Sequence, residues 1–166
     1  MTDKLLAEGG LGGHMPHLYE NGELTFGEIK DVFKQASKGE LKGTEKTDGQ
    51  NLFLSFDVKT QKAVGVRNES QIKEGGLDIE QMAQFFAGSE NPNLQIVFPD
   101  AIKIFEKTAK ILDTEQQIYF FGPNANYWYQ AEVMDDRSRN VINYDTRNLL
   151  FQRTGHTFYN KKTGEL

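Results

Sequence analysis

The central part of the chain alternates apolar and polar residues, and this period of two predicts a β-strand. The apolar positions expected on one face are Leu52, Leu54, Phe56 and Val58. The alternate positions, expected on the other face, are Phe53, Ser55 and Asp57. A polar turn over residues 59–62 leads into residues 63–67, which are predicted to form the antiparallel partner strand. The stretch that follows contains Gly75 and Gly76 and is predicted to be a loop.

Three other segments repeat apolar residues every three or four positions, which is typical of amphipathic helices. The first begins at Thr25, which has the form of a capping box with Glu28. The second begins after Asp78, a residue type that favours the N-cap position. The third is expected to carry Pro99 in its first turn. The residues predicted to share the apolar face of this third helix are Ile102, Phe105, Ala109 and Leu112.

From residue 116 onward the chain consists of short apolar runs separated by turn-forming residues, which predicts a β-rich region. The strands expected there cover residues 118–121, 127–134, 141–144 and 149–153. Because strands and helices are grouped in blocks, the pattern favours an α+β fold: an antiparallel β-sheet core with flanking helices. Residues 1–24 lack periodicity and predict an irregular N-terminal arm, so the domain is expected to cover residues 25–166.

Composition excludes several classes of protein. The 166 residues include no cysteine, which excludes disulfide frameworks, cysteine-type zinc sites and thiol nucleophiles. The 24 acidic and 19 basic residues give a net charge of −5, which argues against nonspecific coating of nucleic acid. No apolar run approaches the ~20 residues of a membrane helix. The first residues lack the features of a signal peptide, so we expect a cytoplasmic protein without membrane association.

The segment with the most chemical information runs from Glu45 to Asn51 and directly precedes the first strand. In one interpretation, Asp48 and Gly49 form a hairpin turn and Lys46 is merely solvated beside it, since this dipeptide suits a type I′ turn. In the other, Lys46 is a nucleophile. The pattern Lys-x-Asp-Gly is short enough to arise by chance, so the surrounding residues must distinguish the two interpretations.

These surroundings carry a family resemblance. Glu45, Lys46, Gly49 and Asn51 stand in order before a strand, and the antiparallel partner strand ends in Arg67. This arrangement resembles the nucleophile region of covalent nucleotidyltransferases, the superfamily of polynucleotide ligases and mRNA capping enzymes. Within that superfamily it looks most like the RNA ligases of tailed phages and the RNA-editing ligases. The resemblance implies the front half of a nucleotidyltransferase domain.

A second match lies downstream. Residues 127–133 are similar to the family strand in which an acidic residue, here Glu132, follows an aromatic-rich run. The chain departs from the family pattern at Ala131, where the family usually has glycine. Residues 12–28 also resemble the start of uncharacterised proteins of tailed phages. We therefore expect a phage-encoded protein, located in the host-cell cytoplasm.

The resemblance implies that Lys46 attacks the α-phosphorus of ATP and expels pyrophosphate, which leaves a lysyl-AMP intermediate. Glu45 would lie beside the adenine. ATP and Mg²⁺ are the implied cofactors, and the ion would be held largely through water while it neutralises charge on the triphosphate.

The remaining positions implied to bind the nucleotide follow the same order along the chain. Gly49 would let the backbone approach the nucleotide, and Asn51 and Arg67 would contact phosphate or ribose. Glu132 would contact the ribose or the hydrated metal ion. Phe151 is the candidate for stacking on the adenine, although an apolar strand residue more often belongs to a core.

Two later motifs of the family, an acidic-glycine strand and a Lys-x-Lys that binds the α-phosphate, have no counterpart before Leu166. The resemblance covers about residues 42–153, so we expect either the N-terminal part of a longer enzyme or a degenerate relative. The partners expected of the enzyme are a nucleotide and RNA or DNA ends.

Two alternatives stay open. One is a noncatalytic structural or assembly protein of a phage, present in the virion, that keeps the fold as a module for binding other phage proteins. The other is an unrelated α+β fold in which Lys46 only borders a turn. His14 and His17 are spaced like zinc ligands, but two ligands do not make a site, and His156 lies far away along the chain.

Overall fold

The computed structural model describes residues 20–41, 47–122, 127–138 and 144–151. These residues belong to two compact units, one that ends at Thr47 and one that continues from Asp48 onward. We call the second one the sheet unit. Each unit is described by itself. Most of the predicted N-terminal arm lies outside the described residues.

The first unit contains helix α1, Phe26–Ser37. The predicted capping box is confirmed, because the Glu28 backbone N–H donates to Thr25 Oγ1 and the Thr25 backbone N–H donates to Glu28 Oε2, at 3.3 and 2.8 Å. Hydrogen bonds from the backbone and side chain of Thr25 hold the pKa of Glu28 below its ordinary value. The cap therefore satisfies two backbone donors that would otherwise lack partners at the start of the helix.

The sheet unit combines a four-stranded antiparallel sheet with helices, which confirms the predicted α+β class. Its elements are β1 (Gln50–Asp57), β2 (Lys62–Val66), α2 (Glu69–Lys73), α3 (Ile79–Phe85), α4 (Leu94–Ala109), α5 (Thr114–Phe121), β3 (Tyr129–Met134) and β4 (Asn148–Phe151). The strands lie in the order β2-β1-β3-β4, so β1 and β3 are central and β2 and β4 flank them. Strands β1 and β3 are thus paired neighbours although about 70 residues separate them along the chain.

Both faces of β1 are buried. The predicted alternation is confirmed, since Leu52, Leu54 and Phe56 belong to the main core with α4. The members of that core contributed by α4 are Val97, Phe98, Ala101, Ile102, Phe105 and Ala109. On the opposite face, Phe53 packs in a smaller cluster with Val66, Ile72 and Trp128. Burial of each large apolar side chain stabilises the fold by about 1.5 to 3 kcal/mol, so the two clusters hold the sheet from both sides.

A buried carboxylate, that of Glu106, connects α4 to the edge strand β2. Its Oε2 accepts a hydrogen bond from the Ala63 backbone N–H at 3.0 Å, and its Oε1 lies 2.6 Å from Lys110 Nζ. Burial acts to raise the pKa of Glu106, but the hydrogen bonds from Lys110 and Ala63 and the charges of Lys110 and Lys62 outweigh it. The pKa of Glu106 consequently lies below its ordinary value.

This pKa gives a pH-dependent contribution to stability. Because the folded-state pKa of Glu106 is lowered, its ionised form stabilises the fold at neutral pH, and the contribution is lost as the pH falls through the folded pKa. We expect Glu106→Gln to lower the free energy of unfolding by about 1 to 2 kcal/mol at pH 7. Urea unfolding of both proteins should show this difference shrinking toward zero below about pH 4. The exposed Glu90→Gln serves as control, and a difference that stayed constant with pH would contradict the assignment.

The third predicted helix begins earlier than expected. Helix α4 starts at Leu94, so Pro99 lies inside the helix and not in its first turn, and that part of the prediction was wrong. Proline removes one backbone hydrogen bond from a helix interior. The added first turn, however, buries Val97 and Phe98 on the same face as Ile102. This apolar burial offsets the lost hydrogen bond.

The prediction of a strand over residues 118–121 was also wrong, because this segment is the second half of helix α5. The aromatic run has strand propensity, but Asp113 and Gln116 form a capping box that starts a helix. The buried Gln117 side chain then donates from Nε2 to the carbonyl of Ala109, the last residue of α4, and to that of Leu112 in the connection to α5. These bonds tie the start of α5 to the end of α4.

A short helix, α2, lies within the stretch predicted to be a loop. Asn68 is its N-cap and accepts from the Gln71 backbone N–H at 3.0 Å. Gly75 and Gly76 follow it with positive φ angles of 93° and 88°. The other predicted strands correspond to β3 and β4, while most of residues 141–144 and residues 152–153 lie outside the described part of the chain. Across the described ranges, none of the helices combines the length and apolar character needed to cross a membrane.

Candidate nucleotide site

Three of the predicted site residues lie together at one end of the sheet. Asn51 stands opposite Glu132 in the antiparallel register of β1 and β3. Gly49 precedes β1 by one residue, and a Cβ atom built on it would lie 2.8 Å from Glu132 Oε2. The backbone at Gly49 therefore approaches the carboxylate more closely than a side-chain-bearing residue would allow. Glu45 and Lys46 lie outside the described residues, four and three positions before Gly49, respectively.

The face on which these residues lie follows from the alternation of β3. Ala131 and Val133 belong to the main core beside α4, so Glu132 between them lies on the opposite face. Asn51 shares that face, and its Oδ1 accepts a hydrogen bond from Gln130 Nε2 at 3.2 Å. The site thus begins with a carboxylate and two amide side chains, which together offer donors and acceptors for a polar ligand.

Arg67 lies at the same end of the sheet but contacts the other face. Its guanidinium carbon is 4.6 Å from the centre of the Phe98 ring, and its Nη1 is 3.4 Å from Gln50 Oε1. Burial lowers the pKa of Arg67, and the negative charge of Glu132 partly counteracts the shift. The guanidinium carries its positive charge at neutral pH, as arginine side chains do in proteins generally. Arg67 and Glu132 therefore place opposite charges near each other at this end of the sheet.

Phe151 does not join Asn51 and Glu132. It pairs with Ala131 in the register of β3 and β4, and its ring centre is 6.0 Å from that of Phe105 in α4. The side chain is 51% exposed and lies on the α4 face. Its surroundings are those of a residue at the margin of the main core.

No family model, no curated protein and no solved structure matches this chain.

The described residues enclose little space around Gly49. A cavity of about 10 Å³ is lined by Asp48, Gly49, Val133, Met134, Asp135, Ser138 and Tyr144. This volume accommodates about one water molecule. A larger cavity of about 120 Å³ lies between α4 and the β3–β4 pair, away from Asn51 and Arg67. Neither cavity is lined by Asn51, Arg67 or Glu132.

A magnesium ion at this end of the sheet would take most of its ligands from water or from a bound phosphate. The described part of the chain contains no group of three or more histidine or acidic side chains arranged to hold a metal ion. Glu132 supplies one carboxylate at the site. Mg²⁺ often keeps several waters and is held by one or two carboxylates together with substrate phosphates. Glu132 is thus suited to contact an ion that arrives with a triphosphate.

Sequence reasoning missed the glutamines around Arg67. Gln71 Oε1 accepts from the Arg67 backbone N–H at 2.7 Å, and Gln50 lies beside the guanidinium. The N-cap residue Asn68, three positions before Gln71, is a signal that predicts a helix start there. No sequence pattern, however, indicates that the Gln71 amide turns back onto Arg67, since that contact depends on the fold of the segment. The histidines considered for zinc, His14, His17 and His156, lie outside the described residues.

Proposed function

We propose that this chain carries the nucleotide-binding part of an ATP-dependent nucleotidyltransferase similar to RNA ligases. The observation that supports it best is the register of β1 and β3, which brings Asn51 and Glu132 opposite each other with Gly49 packed against the carboxylate. Arg67 adds a positive charge at the same end of the sheet, from the face that contacts Phe98. These four residues stand in the family order along the chain, and Lys46 lies three positions before Gly49.

In the proposed reaction, the unprotonated Lys46 amine attacks the α-phosphorus of ATP. A nitrogen–phosphorus bond forms, and the bond from phosphorus to the pyrophosphate oxygen breaks. The attacking nitrogen, which becomes positively charged as the bond forms, then releases one proton to solvent. Because the ordinary pKa of lysine is about 10.4, the site must favour the neutral amine. A permanent cation beside the amine would act in that direction. The adenylyl group would then pass to an RNA or DNA end.

The described side chains divide the recognition of ATP among them. The planar guanidinium of Arg67 is suited to bidentate contact with phosphate oxygens. The amide of Asn51 offers both a donor and an acceptor to ribose or phosphate. The carboxylate of Glu132 accepts hydrogen bonds from a ribose hydroxyl or from water on Mg²⁺. Magnesium, when bound, neutralises charge on the triphosphate.

The test is a thermal unfolding series with Mg²⁺ alone and with Mg²⁺ and ATP, combined with intact-mass measurement. We expect ATP at one hundred times its Kd to stabilise the protein by about 2.7 kcal/mol, which raises the Tm by several degrees. Asn51→Ala should reduce the shift, whereas Asn148→Ala, an exposed asparagine on β4, should leave it unchanged. An AMP adduct on Lys46 would assign the chemical step to this chain as well.

Absence of both an ATP-dependent shift and an adduct would overturn the proposal. Incorporation of such an inert protein into purified virions would then favour the noncatalytic structural or assembly role. If GTP stabilised the protein and ATP did not, the proposed site would stand, and its nucleotide would be GTP.

A further inference from the structure

Gln71 is a buried glutamine that contacts the main chain of Arg67. Its side-chain oxygen accepts from the Arg67 backbone N–H at 2.7 Å, and the residue is only 3% exposed. Its own backbone is held at both ends, because its N–H donates to Asn68 Oδ1 and its carbonyl accepts from the Gly76 N–H at 2.7 Å. The position of its amide relative to Arg67 is therefore well determined by local hydrogen bonds.

The amide nitrogen of Gln71 differs from its oxygen in this respect. Gln71 Nε2 is buried and has no hydrogen-bond partner among the described residues. Burying an unpartnered amide donor is unfavourable, and an apolar side chain of similar length would avoid the cost. Among the described contacts of the Gln71 amide, only its oxygen is hydrogen-bonded, and its partner is the backbone N–H of Arg67.

Arg67 is the residue for which such anchoring has chemical consequences. Its guanidinium is carried on a long flexible side chain, so the place it reaches depends on where the main chain is held. Phe98 and Gln50 contact the guanidinium end, at 4.6 and 3.4 Å, and Gln71 anchors the backbone end. Held at both ends, the side chain loses less conformational entropy when it binds an anion.

We infer that Gln71 is a positioning residue for Arg67, which it holds so that the guanidinium is preorganised for the phosphate groups of the nucleotide. The inference rests on the proposed function, because it requires a phosphate-bearing ligand at this end of the sheet. Gln71 itself does not contact the ligand.

The test uses Gln71→Met, which keeps the length of the side chain and removes the acceptor. We expect the Kd for Mg²⁺·ATP, measured by calorimetry well below the Tm, to rise about five- to tenfold. The matched control is Gln117→Met, which removes a glutamine amide that is also buried, 5% exposed, but serves the junction of α4 and α5. Gln117→Met should lower the Tm and leave the Kd within about twofold of the wild type. If Gln71→Met does not fold, Gln71→Asn, which keeps the amide but shortens its reach, replaces it with a smaller expected rise.

A double-mutant cycle separates positioning from a direct role. If Gln71 acts through Arg67, Gln71→Met should have no further effect on the Kd in an Arg67→Ala background. A wild-type Kd in Gln71→Met, or independent effects that multiply in the double variant, would overturn the inference. A wild-type protein that binds no nucleotide would instead overturn the proposed function itself, so the two failures are distinguishable.

Discussion

Gly76→Ala is expected to lower the free energy of unfolding of the sheet unit by about 3 kcal/mol. Gly76 has a φ of +88°, where residues with a side chain are strained, and a Cβ atom there would lie 2.5 Å from Cη2 of Trp128. Trp128 is fully buried in the smaller cluster, so it has little room to move. The substitution therefore combines backbone strain with overpacking against a ring that the surrounding side chains confine.

The neighbouring glycine separates these two costs. Gly75 has a φ of +93°, but a Cβ atom there would meet nothing within 4 Å, so Gly75→Ala should cost only about 1 kcal/mol of backbone strain. Gly88→Ala, at a position with open space, should change stability little. Urea unfolding followed by the fluorescence of Trp128, the single tryptophan of the chain, measures all three. Equal losses in Gly75→Ala and Gly76→Ala would contradict the predicted clash with the tryptophan.

The second large effect concerns binding. Arg67→Ala should raise the Kd for Mg²⁺·ATP by about ten- to one-hundredfold, because a charge-assisted hydrogen bond to phosphate contributes about 1.5 to 3 kcal/mol. Arg67→Lys should recover only part of the affinity, since an ammonium group cannot make the planar bidentate contact. Because Arg67 is partly buried, its contribution to ATP affinity should be screened only weakly, so most of the rise in Kd should persist at moderate salt. Isothermal calorimetry at two ionic strengths measures both expectations.

The matched control for this prediction is Arg147→Ala. Arg147 is exposed and forms an ion pair with Asp136 at 2.7 Å, so its substitution removes the same charge away from Asn51 and Glu132. Its Kd should stay within about twofold of the wild type. Equal weakening by both substitutions would mean that only the net charge of the chain matters, and it would remove Arg67 from the site.

Local sequence signals determined much of the fold. The alternation over Leu52, Leu54 and Phe56 identified the central strand because a strand buries every second residue. Thr25 and Asp78 identified two helix starts because a cap requires only residues within one turn. The prediction at α5 relied only on the strand propensity of the aromatic residues, whereas the structure shows that Asp113 and Gln116 cap a helix there.

The remaining features depend on residues that are far apart along the chain. The extra first turn of α4 before Pro99 is stabilised by a face that packs on the sheet, which no local pattern encodes. Phe151 was predicted to stack on adenine only because of its place in the family order of residues. The register of β4 places it beside Phe105. Which face a strand residue occupies depends on its pairing, because a shift by one residue reverses both faces.

By itself, the sequence determined the α+β class and the first strand pair, because these depend on composition and periodicity. The candidate residues from Lys46 to Glu132 came from the family resemblance alone and stay a prediction. Only the tertiary structure decided that Asn51 and Glu132 stand opposite each other and that Gln71 anchors Arg67. The physical reason is that hydrogen bonds and ion pairs act over a few ångströms. The chain brings residues 81 positions apart within that range only after strand pairing has set the register.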